Sequence, residues 1–379
     1  MSVRVLPAFV AVVLGGLLAT ALLVPYVAVS FRRRGTLGAG HVMLAGAALV
    51  YGLALLAYVL LPLPHADAAF CTRDAWLVEP QLRPLQFLRD IRNEQAGSGF
   101  HALMASPAVQ QVAFNVVLFL PFGALVRYLG KRSVILTTAA GAVVSLLIEV
   151  TQLTGIWGAY PCPYRLFDVD DLLANSAGAM LGALAAPLLR LVPGQRVTAP
   201  PSAPRPVTTR RRLLGMVCDV LVVQLTGSAL VMGVSAVLLL AGVPFGGPGE
   251  LDWPGAAGDV VGWWLPTVLF LFVVPLAGDG ATIGQKVVLL RPLGPDGRAP
   301  SRRRRLVRAT VGSGGILVLQ GIGGVGSVLA FLLAVATVVA AWRTDGHRGL
   351  SGIAAGVQVV DNRSSVASTA TADTARAEN

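Results

Sequence analysis

The sequence predicts an all-α polytopic integral membrane protein with about eight apolar spans in two helical modules, the second carrying a small cytoplasmic β element. Three observations predict it. Mean hydropathy is +0.70 and only 13% of the 379 residues are charged. Apolar runs of at least the roughly 18–20 residues needed to cross hydrocarbon recur along the chain. Positive charge then alternates between the connecting loops. Arg32–Arg34, Arg127–Arg132, Arg190–Arg212 and Lys286–Arg308 are basic, whereas the loops between them are balanced or acidic. Cytoplasmic loops retain Lys and Arg, so this pattern puts the N-terminus outside and the four basic loops in the cytoplasm of a multi-pass cell-membrane protein. The net charge of +11 belongs to that topology and does not point to a nucleic-acid partner.

In chain order the spans read as Leu6–Phe31, His41–Leu63, Val109–Leu129, Ser133–Leu153, Asp171–Leu191, Leu213–Val243, Val260–Ala277 and Ala309–Trp342. In the first, Ala19-Thr20-Ala21 is similar to a leader cleavage site. The apolar run nevertheless continues to Val29, and its basic cluster follows it instead of preceding it. A retained span is expected. The stretch "VPGQRVTAPPSAPRPVTTRRR" has five prolines and no apolar periodicity. It reads as a cytoplasmic linker over 193–209, dividing a five-span module (1–192) from a second module (210–363). The small, polar tail 364–379 is expected to be disordered.

In the second module "KVVLLRPLG" and "AAGVQVVD" read as short strands. If they pair, both are cytoplasmic, and Ala309–Trp342 must enter and leave on one side. Its 34 residues are short for two full crossings, but "GIGGVG" (Gly321–Gly326) allows a break. A shallow helical hairpin is expected, with a single crossing and an external tail as the rival. The same glycines fit G-x-G-x-x-G, but no strand–helix unit surrounds them and a dinucleotide site is not expected. Cys71 and Cys162 fall in the first two external loops, where a disulfide can form. Two unrelated thiols are the alternative. Cys218 falls within a span.

Polar side chains inside spans cost a few kcal/mol each, so those present call for a reason. Asn115, Glu149, Gln152 and Asn175 fall in the external thirds of the third, fourth and fifth spans. Ser145, Glu149 and Gln152 follow i, i+4, i+7, as do Asp171, Asn175 and Gly178 with Gly182 one turn on, so each set shares a helix face. Gly178 and Gly182 form a G-x-x-x-G that lets backbones approach, with the fourth span as the expected neighbour. Arg165, Asp168 and Asp170 sit at the mouth of the fifth span. An aspartate there can cap the helix. Two readings stay open: a hydrogen-bond network that locks three helices, or a polar pocket open to the exterior. In a pocket, the four acids suit a divalent cation, and Arg165 suits a phosphate or carboxylate. No other cofactor is evident. No activated nucleophile is visible and no catalytic residue is assigned. In the second module Arg212 and Asp219 lie two turns apart on one face, with Arg308 as a further partner for an intramembrane ion pair. "SRRRR" (Ser301–Arg305) suits anionic lipid headgroups.

The segments "FNVVLFLPFGAL", "SLLIEVTQ" and "RLFDVDDLLANSAGAMLG" resemble the VanZ-like membrane family over about 40–192. The resemblance rests on Asn115, Pro121, Gly123, Glu149, Gln152, Arg165, Asp168, Asp170, Asp171, Asn175, Gly178 and Gly182. "RRLLGMVCD", "GATIGQKVVLLRPLGPDGRAPSRRRRLVR" and "AAGVQVV" resemble the RDD family over about 210–361, through Arg212, Asp219, Gly284, Lys286 and Arg308. Ser351-Gly352 stand where that family carries an aspartate. These resemblances imply a bacterial cell-envelope protein. The first implies a glycopeptide (teicoplanin-type) resistance or accessory role, in which the external cluster engages a cell-wall or lipid-linked precursor headgroup. A proton- or cation-coupled transporter using Glu149, Asp171 and Asp219 is the alternative, and a metal-dependent enzyme acting on a lipid phosphate is a further one.

Overall fold

The computed structural model describes residues 5–60, 70–73, 75–94, 100–197, 199–244, 253 and 255–364. The tail beyond Ser364, the end of the second predicted span and the acidic loop at Glu250 and Asp252 lie outside them. Among the described residues eight helices are long and apolar enough to cross a membrane. Their large apolar side chains, Ile135 and Leu240 among them, are widely exposed, as a hydrocarbon solvent allows. Residues 1–19 with 38–196 form one compact unit, and 20–37 with 197–379 form another.

The first unit contains the start of α1 (Val5–Arg34), α2 (Ala39–Leu60), the short polar helix α3 (Gln86–Glu94), and the spans α4 (Pro107–Gly130), α5 (Val134–Leu153) and α6 (Val169–Ala185). Local chemistry sets their starts. The Ser106 hydroxyl accepts from Val109 N–H ahead of Pro107, and Ser133 accepts from Leu136 N–H. Each satisfies a donor that a helix N-terminus leaves free. Phe119 and Ala179 are fully buried and meet Leu55 and Val59 of α2.

Gly178 and Gly182 lie against α4, not the expected α5. A Cβ on Gly178 would collide with the Val116 carbonyl, and one on Gly182 with the Leu120 carbonyl. Gly123 of α4 reciprocates against the Ala179 carbonyl. The reason is that α4 has its own small residue at the crossing. The α5 helix is reached by the adjoining face of α6, where Gly141 meets Ala179.

The second unit begins with the rest of α1, whose Val27 and Phe31 pack on Cys218, Val288, Leu290 and Val359. Its own spans are α7 (Thr209–Leu240), α8 (Ala256–Ala277) and, further on, α12. The α8 helix widens to i→i+5 pairing twice, with Leu265 N–H bonded to the Val260 carbonyl and Val274 N–H to the Leu269 carbonyl. Pro266 and Pro275 follow directly. Their rings need room and they have no N–H to give, which the wider turns accommodate.

After α9 (Ile283–Val287) come β1 (Leu290–Leu293), α10 (Arg302–Val311), α11 (Ser313–Ile322), α12 (Val325–Arg343), α13 (Gly349–Ala355) and β2 (Gln358–Asp361). The two strands pair antiparallel, Leu290 opposite Asp361. That pairing returns the chain to the side it left and excludes a single crossing between them. The hairpin breaks at Gly323 and Gly324, which take φ of 73° and 52°, values open to glycine at little cost. The arms are unequal, and the hairpin is not shallow throughout as expected. The 19 residues of α12 are long and apolar enough to cross and rise about 28 Å, whereas the ten of α11 rise about 15 Å, because the break falls before the middle of the apolar run.

Cys71 and Cys162 are joined by a disulfide with Cα atoms 5.7 Å apart, and Cys218 is a buried free thiol. Alkylation of the denatured chain should add one adduct per molecule without reductant and three after reduction, as read by intact mass. Three adducts before reduction would contradict the bridge.

Candidate functional site

The α2–α4 connection is drawn over the ends of α4, α5 and α6 by three tethers. One is the disulfide. Another is a parallel bridge in which Gln81 N–H donates to the Phe167 carbonyl (2.8 Å) and Val169 N–H to the Gln81 carbonyl (3.1 Å). The last is Asp170, 4% exposed, which accepts from Leu85 N–H (2.6 Å) and Phe87 N–H (2.9 Å) and so caps α3. The α5–α6 turn reaches back through Gly155, whose φ of 57° and contact with the Cys162 carbonyl leave no room for a Cβ.

Beneath this cover lies a cavity of about 510 Å³. Asn115, Glu149, Gln152, Arg165, Asp168, Asp171 and Asn175 all line it. Asp170 does not, because its carboxylate is committed to α3. Asp168 caps α6 by accepting from Asp170 N–H (2.8 Å), and also accepts from Gln81 Nε2 (3.2 Å). Its own N–H donates to Glu149 Oε2 (3.0 Å). Burial raises the Asp168 carboxyl above the ordinary range, against the pull of those hydrogen bonds. Asp171 Oδ1 accepts from Asn115 Nδ2 (2.5 Å) and Gln111 Nε2 (3.1 Å). Asn175 Nδ2 donates to Ser145 Oγ (2.9 Å), leaving its buried Oδ1 without a partner, and Gln152 donates to the Val59 carbonyl (3.3 Å).

The cluster is therefore a network and a cavity wall at once. Among the described residues Arg165 has no hydrogen-bond or ion-pair partner, although it shares the cavity with four acids. No three of His, Cys, Asp and Glu among the described residues gather at metal-ligand spacing. Gln81, Gln86, Asp90, Gln111 and Tyr58 also line the cavity and were not anticipated. Gln111 was readable, being one turn before Asn115 on the same face. Gln86 and Asp90 are four apart on α3, but in a polar connection that spacing does not mark a face turned to the spans, and Gln81 lies outside any helix.

In the second unit Arg212, Asp219 and Arg308 line one smaller cavity, but the expected direct ion pair is absent among the described residues. Asp219 instead accepts from Gly284 N–H (2.6 Å) and Thr282 Oγ1 (2.8 Å). Arg212 donates to the His347 carbonyl and Arg308 to the Gly280 carbonyl. Nearby backbone and hydroxyl donors reach the carboxylate first. The direct buried pair is Arg211 with Asp361, at 2.8 Å.

Fold and site together define a multi-pass helical membrane protein whose first unit covers a polar cavity at the ends of its spans. Residues 48–190 match the family model described as VanZ/LLP1, a stretch that contains every residue of that cavity. No curated protein and no solved structure matches the chain.

Proposed function

We propose that the first unit binds the polar headgroup of a cell-envelope precursor at the outer membrane surface and alters the access of glycopeptide antibiotics to it. The observation that carries this reading is Arg165. A guanidinium with no hydrogen-bond or ion-pair partner among the described residues lines a cavity of about 510 Å³ whose polar wall is otherwise made of carboxylates, amides and the Tyr58 hydroxyl, beside apolar side chains such as Phe119 and Ile148. It suits a phosphate or carboxylate, held bidentately. Glu149, Asp168 and Asp171 suit the amines and hydroxyls of the same headgroup. The alternation of basic loops supports an outward-facing cavity, and the family match supports an envelope role.

The test is susceptibility to teicoplanin and vancomycin in a Gram-positive host, at matched membrane abundance, for wild type, Arg165→Gln, Glu149→Gln and Asp171→Asn. Wild type should raise tolerance selectively for the lipid-tailed drug. Losing one charge-assisted contact should weaken headgroup binding about tenfold or more, and Arg165→Gln should behave as empty vector. Equal tolerance in wild type and empty vector would remove the resistance role. Cation-coupled flux abolished by Glu149→Gln would then favour the transporter alternative.

A further inference from the structure

Arg308 is 7% exposed and Thr337 is 3% exposed. The Nε of Arg308 and the Oγ1 of Thr337 are buried with no hydrogen-bond partner, and both residues line the same cavity. Its volume is about 40 Å³, above the roughly 10–15 Å³ that one water molecule requires. The lining holds three guanidinium groups, Arg212, Arg305 and Arg308, against the single carboxylate of Asp219. Both oxygens of that carboxylate are already engaged by Gly284 and Thr282. Arg305 is spent on the carbonyls of Pro300, Leu276 and Gly278. Neither Arg212 nor Arg308 has an ion-pair partner among the described residues. Burial lowers Arg308 to about 10, with Asp219 and Asp279 opposing, so it stays charged at neutral pH. Buried cations without a counter-charge are strongly disfavoured.

We propose that this cavity binds a small inorganic anion, a halide or a compact oxyanion, between Arg308, Arg212 and the Thr337 hydroxyl. The anion supplies the missing counter-charge and accepts from both orphaned donors. It ties α10, α12 and the start of α7 together. This site is separate from the headgroup cavity and does not depend on that reading.

The experiment is thermal unfolding of the full chain in detergent, followed by tryptophan fluorescence, in sodium chloride, bromide, phosphate or gluconate at fixed ionic strength. Relative to gluconate, the binding anion should raise Tm saturably, by about 5 °C at a hundredfold excess over its Kd. A response to chloride and bromide identifies a halide site, and a response to phosphate alone an oxyanion site. Thr337→Val keeps the side-chain shape and should move half-saturation at least about tenfold higher, while Arg308→Gln should remove the dependence. Identical melting in all four salts overturns the proposal. So does a dependence left unchanged in Thr337→Val, which decides the matter if Arg308→Gln does not fold.

Discussion

Replacing Asp361 with asparagine is expected to destabilise the second unit by about 3–5 kcal/mol, the usual cost of stranding a buried charge. Asp361 is 2% exposed and sits at the end of β2. Its carboxylate accepts from Arg211 (2.8 Å), from Arg205 N–H (3.1 Å) and from Arg363 through N–H, Nε and a terminal nitrogen (2.8, 2.8 and 2.6 Å). Arg211, 6% exposed, cannot turn to water once the carboxylate has gone. Thermal or denaturant unfolding in detergent measures the loss, and a change within about 0.5 kcal/mol would show the pair to be dispensable.

The same carboxylate predicts a pH dependence. Burial alone would raise Asp361, but the Arg363, Arg205 and Arg211 hydrogen bonds outweigh it and hold it well below the ordinary carboxyl range. Its stabilisation is therefore complete above the unfolded value of 3.8 and is lost as pH falls from there through the depressed folded value. Asp361→Asn should flatten that acid limb. Asp168 has the opposite sign, since its raised carboxyl favours the folded first unit as pH falls through it.

Gly182→Val is expected to separate α4 from α6. A side chain there meets the Leu120 carbonyl and the backbone of Ala124, not a flexible side chain that could yield. The cost should exceed the roughly 1–3 kcal/mol of ordinary overpacking. Because α6 carries Asp171 and Asn175 on adjoining turns, the cavity should be lost with the contact. Gly46→Ala in α2 meets no atom within 4 Å and serves as the control. Size exclusion in detergent reports the folded fraction. A monodisperse Gly182→Val protein with wild-type melting would refute the tight α4–α6 crossing.

Much of this architecture was legible because a bilayer imposes strong rules. Length and apolarity located the spans. The i, i+4, i+7 spacing put Ser145, Glu149 and Gln152 on one face, and the structure brings that face to Asp168, Asn175 and the Val59 carbonyl. The glycine break and the two short strands were equally readable, since each is a local departure from an otherwise continuous apolar run. Partner choice was not legible. Gly178 and Gly182 announced a close crossing without saying that α4, through Gly123, would fill it. Arg212 and Asp219 shared a face, yet Thr282 and the Gly284 N–H, some sixty residues away, took the carboxylate.

The sequence by itself determined the membrane class, most of the spans and the polar faces, because helical period and hydrocarbon thickness act on neighbouring residues; the hairpin needed the β1–β2 pairing to exclude its rival. Only the tertiary structure decided that Asp170 caps α3 while Asp168 and Asp171 line a cavity, and that Arg165 has no hydrogen-bond or ion-pair partner among the described residues. It also decided that Asp361 closes a buried pair with Arg211. Hydrogen-bond competition is settled by which donors arrive within 3 Å, and these arrive from elements as far apart in the sequence as those that carry Arg211 and Asp361.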